Sequence, residues 1–182
     1  MFRDPAAWCY RGEMTSGVRI RPATHDDLGA VRRLLVETWH DTFDPLLGRE
    51  RVTEITDRWH AVDVLARQLE APDSSFLVAE RGSEVIGHAL AHARHLPILV
   101  LARLYVRPAF QRQGIGRRLL AVVTLRHPQA TRIRLTVELD NAKGVLFYKR
   151  NGFAVTAEVV EDGLRGLRME KALAGGLTAD LS

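Results

Sequence analysis

The segment Leu104 to Leu120, LYVRPAFQRQGIGRRLL, constrains this chain more than any other. Ile98 to Val106 reads as a long, largely buried strand, and Pro108 stops it. A loop holding Gly114 and Gly116 then opens an amphipathic helix from about Gly114 to Arg126. N–H groups at a helix start lack internal partners and carry partial positive charge, so they cradle an anion. The glycines put no side chain between that anion and the backbone, and Arg112, Arg117 and Arg118 add charge suited to a polyanionic ligand. The alternative is a plain tight turn for which two glycines are merely permissive. A P-loop is excluded, because Gly116-Arg117-Arg118 stands where Gly-Lys-Ser/Thr is required. So is the dinucleotide fingerprint, which needs three glycines at the first strand-to-helix turn.

Around this segment the hydrophobic period alternates between 2 and 3.6. Val18 to Arg21 is a short strand, and Thr24 an N-cap followed by Asp26 and Asp27. A first helix runs to about Trp39, then a polar stretch, His40 to Gly48, then one helix from about Glu50 to Glu70. Ser75–Glu80 and Val85–Ala93 form a hairpin, and Thr131–Leu139 a further strand. A short helix opens at Asp140-Asn141, and a hairpin turning at Asp162-Gly163 closes the fold. The expected architecture is a single mixed α/β domain over 18–173: about seven strands in a mostly antiparallel sheet, flanked by four helices. Residues 1–17 read as an extension outside the fold, and 174–182 as a tail.

Composition excludes several classes. With 46% hydrophobic and 26% charged residues the chain is a globular protein, not a disordered one. Its longest uncharged apolar run, Leu96 to Ala102, is far short of the ~20 residues of a membrane span. Charged side chains interrupt Met1 to Gly17, so no export signal is read there, and lone Cys9 closes no internal disulfide and has no metal-ligand neighbours. A cytoplasmic protein is expected. The net charge of +4 is spread along the chain among 22 acidic residues, which argues against a nucleic-acid binder.

Leu104-Tyr105-Val106-x-Pro108-x-Phe110-Gln111-x-x-Gly114-x-Gly116-x-x-Leu119-Leu120 resembles the cofactor motif of the GCN5-related N-acetyltransferases (GNAT). Asn141 to Phe153, NAKGVLFYKRNGF, is similar to that family's Asn-x-x-Ala-x-x-Phe-Tyr-x-x-x-Gly-Phe segment, with Gly144 in place of the alanine. The resemblance implies acetyl-coenzyme A as co-substrate and an amine as acceptor, with two copies pairing into a homodimer left open. It implies that the fourth strand splays from the fifth and that Leu104, Tyr105 and Val106 pair with the pantetheine arm. Gln111, Arg112, Gln113, Gly114, Ile115, Gly116 and Arg117 would hold the pyrophosphate, and Asn141 would meet the pantetheine.

Tyr148 stands where the family often has its general acid; the alternative is a packing tyrosine beside Phe147. Its phenol is suited to donate a proton to the departing thiolate. Thr136 occupies the position where some members carry a glutamate base, and Ala102 and Arg103 stand where others carry an acid. Glu138, two residues on and on the same strand face, is the base candidate, with His88 and His92 behind it. For the acceptor, Trp39, Asp41 and Phe43 are the candidates: carboxylates among aromatics attract a cationic amine, although the same residues read equally as helix packing. The missing glutamates leave a second function class, a coenzyme-binding sensor without turnover.

Overall fold

The computed structural model describes residues 17–161 and 163–173, so the expectations for the extension and the tail fall outside the described residues, Gly17 apart. Seven strands form one sheet: β1 (Val18–Pro22), β2 (Ser74–Arg81), β3 (Glu84–His95), β4 (Ile98–Val106), β5 (Arg132–Glu138), β6 (Ala154–Glu161) and β7 (Leu164–Ala172). Their order is β1-β2-β3-β4-β5-β7-β6. Every pairing is antiparallel except β4 with β5.

Five α-helices flank the sheet, not four: α1 (Leu28–Leu47), α2 (Arg49–Trp59), α3 (Val62–Glu70), α4 (Ile115–Leu125) and α5 (Ala142–Arg150). The expected helix over 50–70 breaks at His60 and Ala61, where Ala61 turns extended (φ −58°, ψ 144°). The break lets two apolar stripes serve different clusters. Val52 and Ile55 of α2 pack with Trp39 and Phe43, while Leu65 of α3 packs with Leu28, Phe76 and Val78. The first helix also runs past Trp39, through the expected polar loop and Pro45, to Leu47. Phe43 lies 4.7 Å from Trp39, ring centre to ring centre, and is 3% exposed. Burial of that turn outweighs the hydrogen bond Pro45 removes. Thr24 does cap, but it caps a short 3-10 turn, His25–Asp27, ahead of α1.

β2 and β3 are apolar on both faces because both are covered. Leu77, Ala79 and Ala89 meet α4, whereas Phe76, Val78 and Leu90 meet α1 and α3. Gly87 sets how close α4 lies: a Cβ there would sit 3.1 Å from Leu119 Cδ1 and 3.2 Å from Ala79 Cβ. Among the described residues, no helix is long and apolar enough to cross a membrane.

Two irregularities in β4 create the site. Leu90 faces Arg103 and Ala91 faces Leu101, so Ala102 is the extra residue of a bulge. β4 then pairs with β5 only over Ile98–Val100 against Arg132–Arg134. Beyond Val100 the two parallel strands diverge, and the β5-facing edge of β4 is left without a strand partner.

Candidate active site

The diverging ends of β4 and β5 enclose a cleft of ≈ 640 Å³ that passes through the sheet, from the loop before α4 to the middle of α1. Leu104, Tyr105 and Val106 line it. Apart from the Val106 carbonyl, the backbone N–H and C=O groups that this segment turns to the open edge have no strand partner and suit a ligand with amide linkages.

At one mouth lies the loop Arg107–Gly114. Gln111 Nε2 donates to the Val106 carbonyl (3.1 Å), closing the loop onto the strand end. Arg112 adopts φ +66° and Gly114 φ +79°. A left-handed arginine is strained, and such residues collect where a backbone is shaped for a ligand. Gly114 has open space around it, so its φ is what requires glycine. Gly116 differs: a Cβ there would lie 3.3 Å from the Phe147 ring, so this glycine lets α4 approach α5. Ile115 lines the cleft although it is buried at 2% exposure.

Arg112 and Arg117 line the cleft with the loop, but two expected residues do not. Gln113 is exposed and leans back to the Ala109 carbonyl (3.4 Å). Arg118 donates to the Val18 carbonyl (2.9 Å) and ties α4 to β1. Lys143 and Arg150 join the basic mouth instead. Their spacing of seven, two helical turns, was the available signal for a shared face of α5. Asn141 lines the cleft, but its side chain is already used. Oδ1 accepts from the Gly144 N–H (2.8 Å) and caps α5. An alanine at 144 would bring its Cβ to 2.8 Å from Asn141 Nδ2, so glycine here makes room for the cap.

At the centre stand Tyr105, Glu138 and Tyr148. Tyr148 is 9% exposed, wedged edge-on between Phe147 and Phe153, with ring centres 5.2 and 5.5 Å away. Burial, reinforced by Tyr105 and Glu138, pushes its phenol well above the usual tyrosine range, so it keeps its proton at any working pH. Tyr148 therefore packs as the alternative reading expected and also lines the cleft. Glu138 lines the cleft and makes no ion pair among the described residues. Burial raises its pKa, with Glu161 adding to the shift, which makes the carboxylate a stronger proton acceptor than an exposed one.

At the far mouth, Asp41 and Phe43 of α1 line the cleft but Trp39 does not. Trp39 is 2% exposed and reaches the site through its indole N–H, which donates to Tyr105 Oη (3.1 Å). Of the three carboxylates near it, Glu37 pairs with Arg107 (2.7 Å) and Asp44 with His40 (2.7 Å), leaving Asp41 to face the cleft. His88 and His92 are not in the cleft wall. His88 is fully buried, its Nδ1 at the Leu77 carbonyl, and burial drives its pKa to about 3.

Comparison with known proteins matches residues 43–173 to the model of the Acetyltransferase (GNAT) domain. An aminoglycoside N(6')-acetyltransferase type 1 of Stenotrophomonas maltophilia is 31% identical over 118 residues, covering 60% of this chain and 67% of that protein. A spermidine N(1)-acetyltransferase of Thermoplasma acidophilum is 26% identical over 148 residues, 76% of this chain and 89% of that one. The crystal structure of the PaiA N-acetyltransferase of T. acidophilum with coenzyme A superposes with TM-score 0.77 at 26% identity, covering 86% of this chain and 99% of that one. The yncA structure from Salmonella typhimurium, with acetyl-CoA, gives 0.64 at 26% identity over 92% and 100%.

Proposed function

The chain belongs to the GNAT acetyltransferases, and from that premise we propose how its own residues divide the transfer of an acetyl group from acetyl-CoA to a primary amine. The observation that carries this reading is the gap between β4 and β5, which joins an anion-cradling basic loop to a cluster of protonatable groups. The loop amides with Arg112, Arg117, Lys143 and Arg150 take the phosphates. The open edge of Leu104–Val106 aligns the amide-rich arm, and this directs the thioester to the centre of the cleft. Acetyl-CoA supplies the activated acyl group.

Glu138 accepts the proton of an ammonium entering past Asp41 and Phe43, directly or through water. The neutral amine attacks the thioester carbonyl, the C–N bond forms and the C–S bond breaks. Tyr148 donates its proton to the departing sulfur and regains one from the amide nitrogen through water, while Glu138 releases the proton it took to solvent. Trp39 is a positioning residue that fixes the Tyr105 hydroxyl beside Glu138 and Tyr148. The spermidine and aminoglycoside acceptors named for two relatives share with this reading a primary amine.

The test is thiol release from acetyl-CoA across a panel of amines, with Tyr148→Phe and Glu138→Gln beside the wild type. We expect kcat to fall roughly 10²- to 10⁴-fold in each variant, with coenzyme affinity retained. Undiminished turnover in both variants refutes the assignment.

A further inference from the structure

Arg103 stands out among the charged side chains of the cleft wall. On β4 it lies two residues before Tyr105, about 7 Å away along the strand. The two side chains share a sheet face: Tyr105 packs on the aromatic cluster that Trp59 also joins, and Arg103 donates to the Trp59 carbonyl (3.0 Å). Its other partner is the side-chain oxygen of Gln68. Both acceptors are neutral, and among the described residues no carboxylate lies within ion-pairing distance. By contrast Arg107 is neutralised by Glu37 and Glu84 and Arg134 by Glu170, while the other unpaired arginines of the cleft, Arg112, Arg117 and Arg150, belong to the basic mouth.

The surroundings of Arg103 are polar without being anionic. His60, His88 and His92 all lie close enough for its charge to hold their pKa down, after burial itself. His60 is 2% exposed and neither of its ring nitrogens has a hydrogen-bond partner; His88 Nε2 and His92 Nδ1 are likewise unpartnered. A largely buried guanidinium without a counter-charge is costly, and a buried polar group without a partner adds to the cost. Such an arrangement is relieved when an anion arrives from the cleft that Arg103 lines and pairs with the guanidinium.

The phosphates of the coenzyme are not that anion, because their cradle is on the α4 side of the sheet and Arg103 points to α2 and α3. The anion therefore belongs to the acceptor. We propose that Arg103 is a specificity-determining residue that pairs with a carboxylate carried by the acceptor amine. Building on the transferase reading above, the amine then sits at Glu138 with Asp41 near the mouth, and the carboxylate at Arg103: the acceptor is a zwitterion of amino-acid or short-peptide type. An unpaired guanidinium in the wall repels a pure polycation, so this chain parts here from relatives named for spermidine and aminoglycosides.

The experiment compares acceptors that differ only in the carboxylate: lysine against 1,5-diaminopentane, and a tripeptide against its C-terminal amide, with thiol release as readout. In the wild type, kcat/KM is expected to be at least about tenfold higher for the carboxylate-bearing member of each pair, the scale of one charge-assisted contact. Arg103→Gln should bring that ratio close to one, and Arg103→Lys should retain part of it. A wild-type ratio of one or below overturns the inference without reliance on any variant, as does an Arg103→Gln enzyme that keeps the full ratio. Release with carboxyl-free amines alone leaves the transferase reading standing and removes only this one; no release with any amine overturns both.

Discussion

Replacing Asp27 by asparagine isolates one charge whose contribution follows from the structure. Asp27 lies at the junction of β1 and α1 and is 8% exposed. Its carboxylate accepts from Arg21 through two nitrogens (2.7 and 2.9 Å), from the Thr24 N–H (2.7 Å) and from the Thr24 hydroxyl (3.1 Å). Chiefly through the Arg21 hydrogen bond, the carboxyl pKa falls from 3.8 to about 2. At 1.36 kcal/mol per pKa unit, that difference is worth about 2 kcal/mol of folding stability. The folded pKa is depressed, so the contribution is complete above about pH 5 and fades as pH falls through 4 toward 2. The asparagine side chain keeps the shape and one acceptor but not the charge. We expect Asp27→Asn to lower unfolding stability by about 2 kcal/mol at pH 7, seen in urea titrations or as a Tm drop of roughly 4–8 °C. The gap to wild type should stay constant from pH 8 to 5 and narrow below pH 4. A gap below about 0.5 kcal/mol at pH 7, or one that changes between pH 8 and 5, refutes the reasoning, because other groups titrate there.

Glu138→Gln should be more stable than wild type at pH 8 and equal to it near pH 4. The raised pKa of Glu138 means that its ionised form costs stability as pH rises above the unfolded value of about 4.3; urea unfolding at both pH values checks this, and a less stable variant at pH 8 contradicts it. Gly87→Ala should cost about 1–3 kcal/mol by pushing α4 off the sheet through Leu119 and Ile115. Calorimetry measures that loss, and weaker coenzyme binding by titration should accompany it because the loop moves with α4. Arg112→Gly relieves a left-handed side-chain residue, so stability should rise by about 1 kcal/mol while coenzyme Kd rises roughly tenfold from loss of a cation. A fall in both stability and Kd runs against that account.

The local devices were legible in the chain itself. A strand stopped by proline, a basic loop with glycines and an amphipathic helix are written in consecutive residues, so residues 104–117 could be placed at one turn. The same holds for Asn141 and Tyr148, seven residues apart on one short helix with a cap at its start. Period-2 alternation put Glu138 on the face of Thr136, and both line the cleft.

What the sequence could not express was the balance between elements far apart in it. No local signal tells that Gly116 serves the Phe147 ring, that Arg118 is taken by the Val18 carbonyl, or that Trp39 is buried while Asp41, two residues on, faces the cleft. α1 continues through Pro45 because Phe43 finds Val52 and Ile55, a contact that exists only once α2 folds back. Arg103 was legible only as the absence of an acid; its isolation depends on Gln68, Trp59 and three histidines brought from β3 and the α2–α3 junction. Hydrophobic period and turn chemistry act between neighbours along the chain, so the sequence determines the elements and the basic loop between β4 and α4. Burial and charge compensation are sums over neighbours in space, and only the tertiary structure decides which side chains are left facing the cleft.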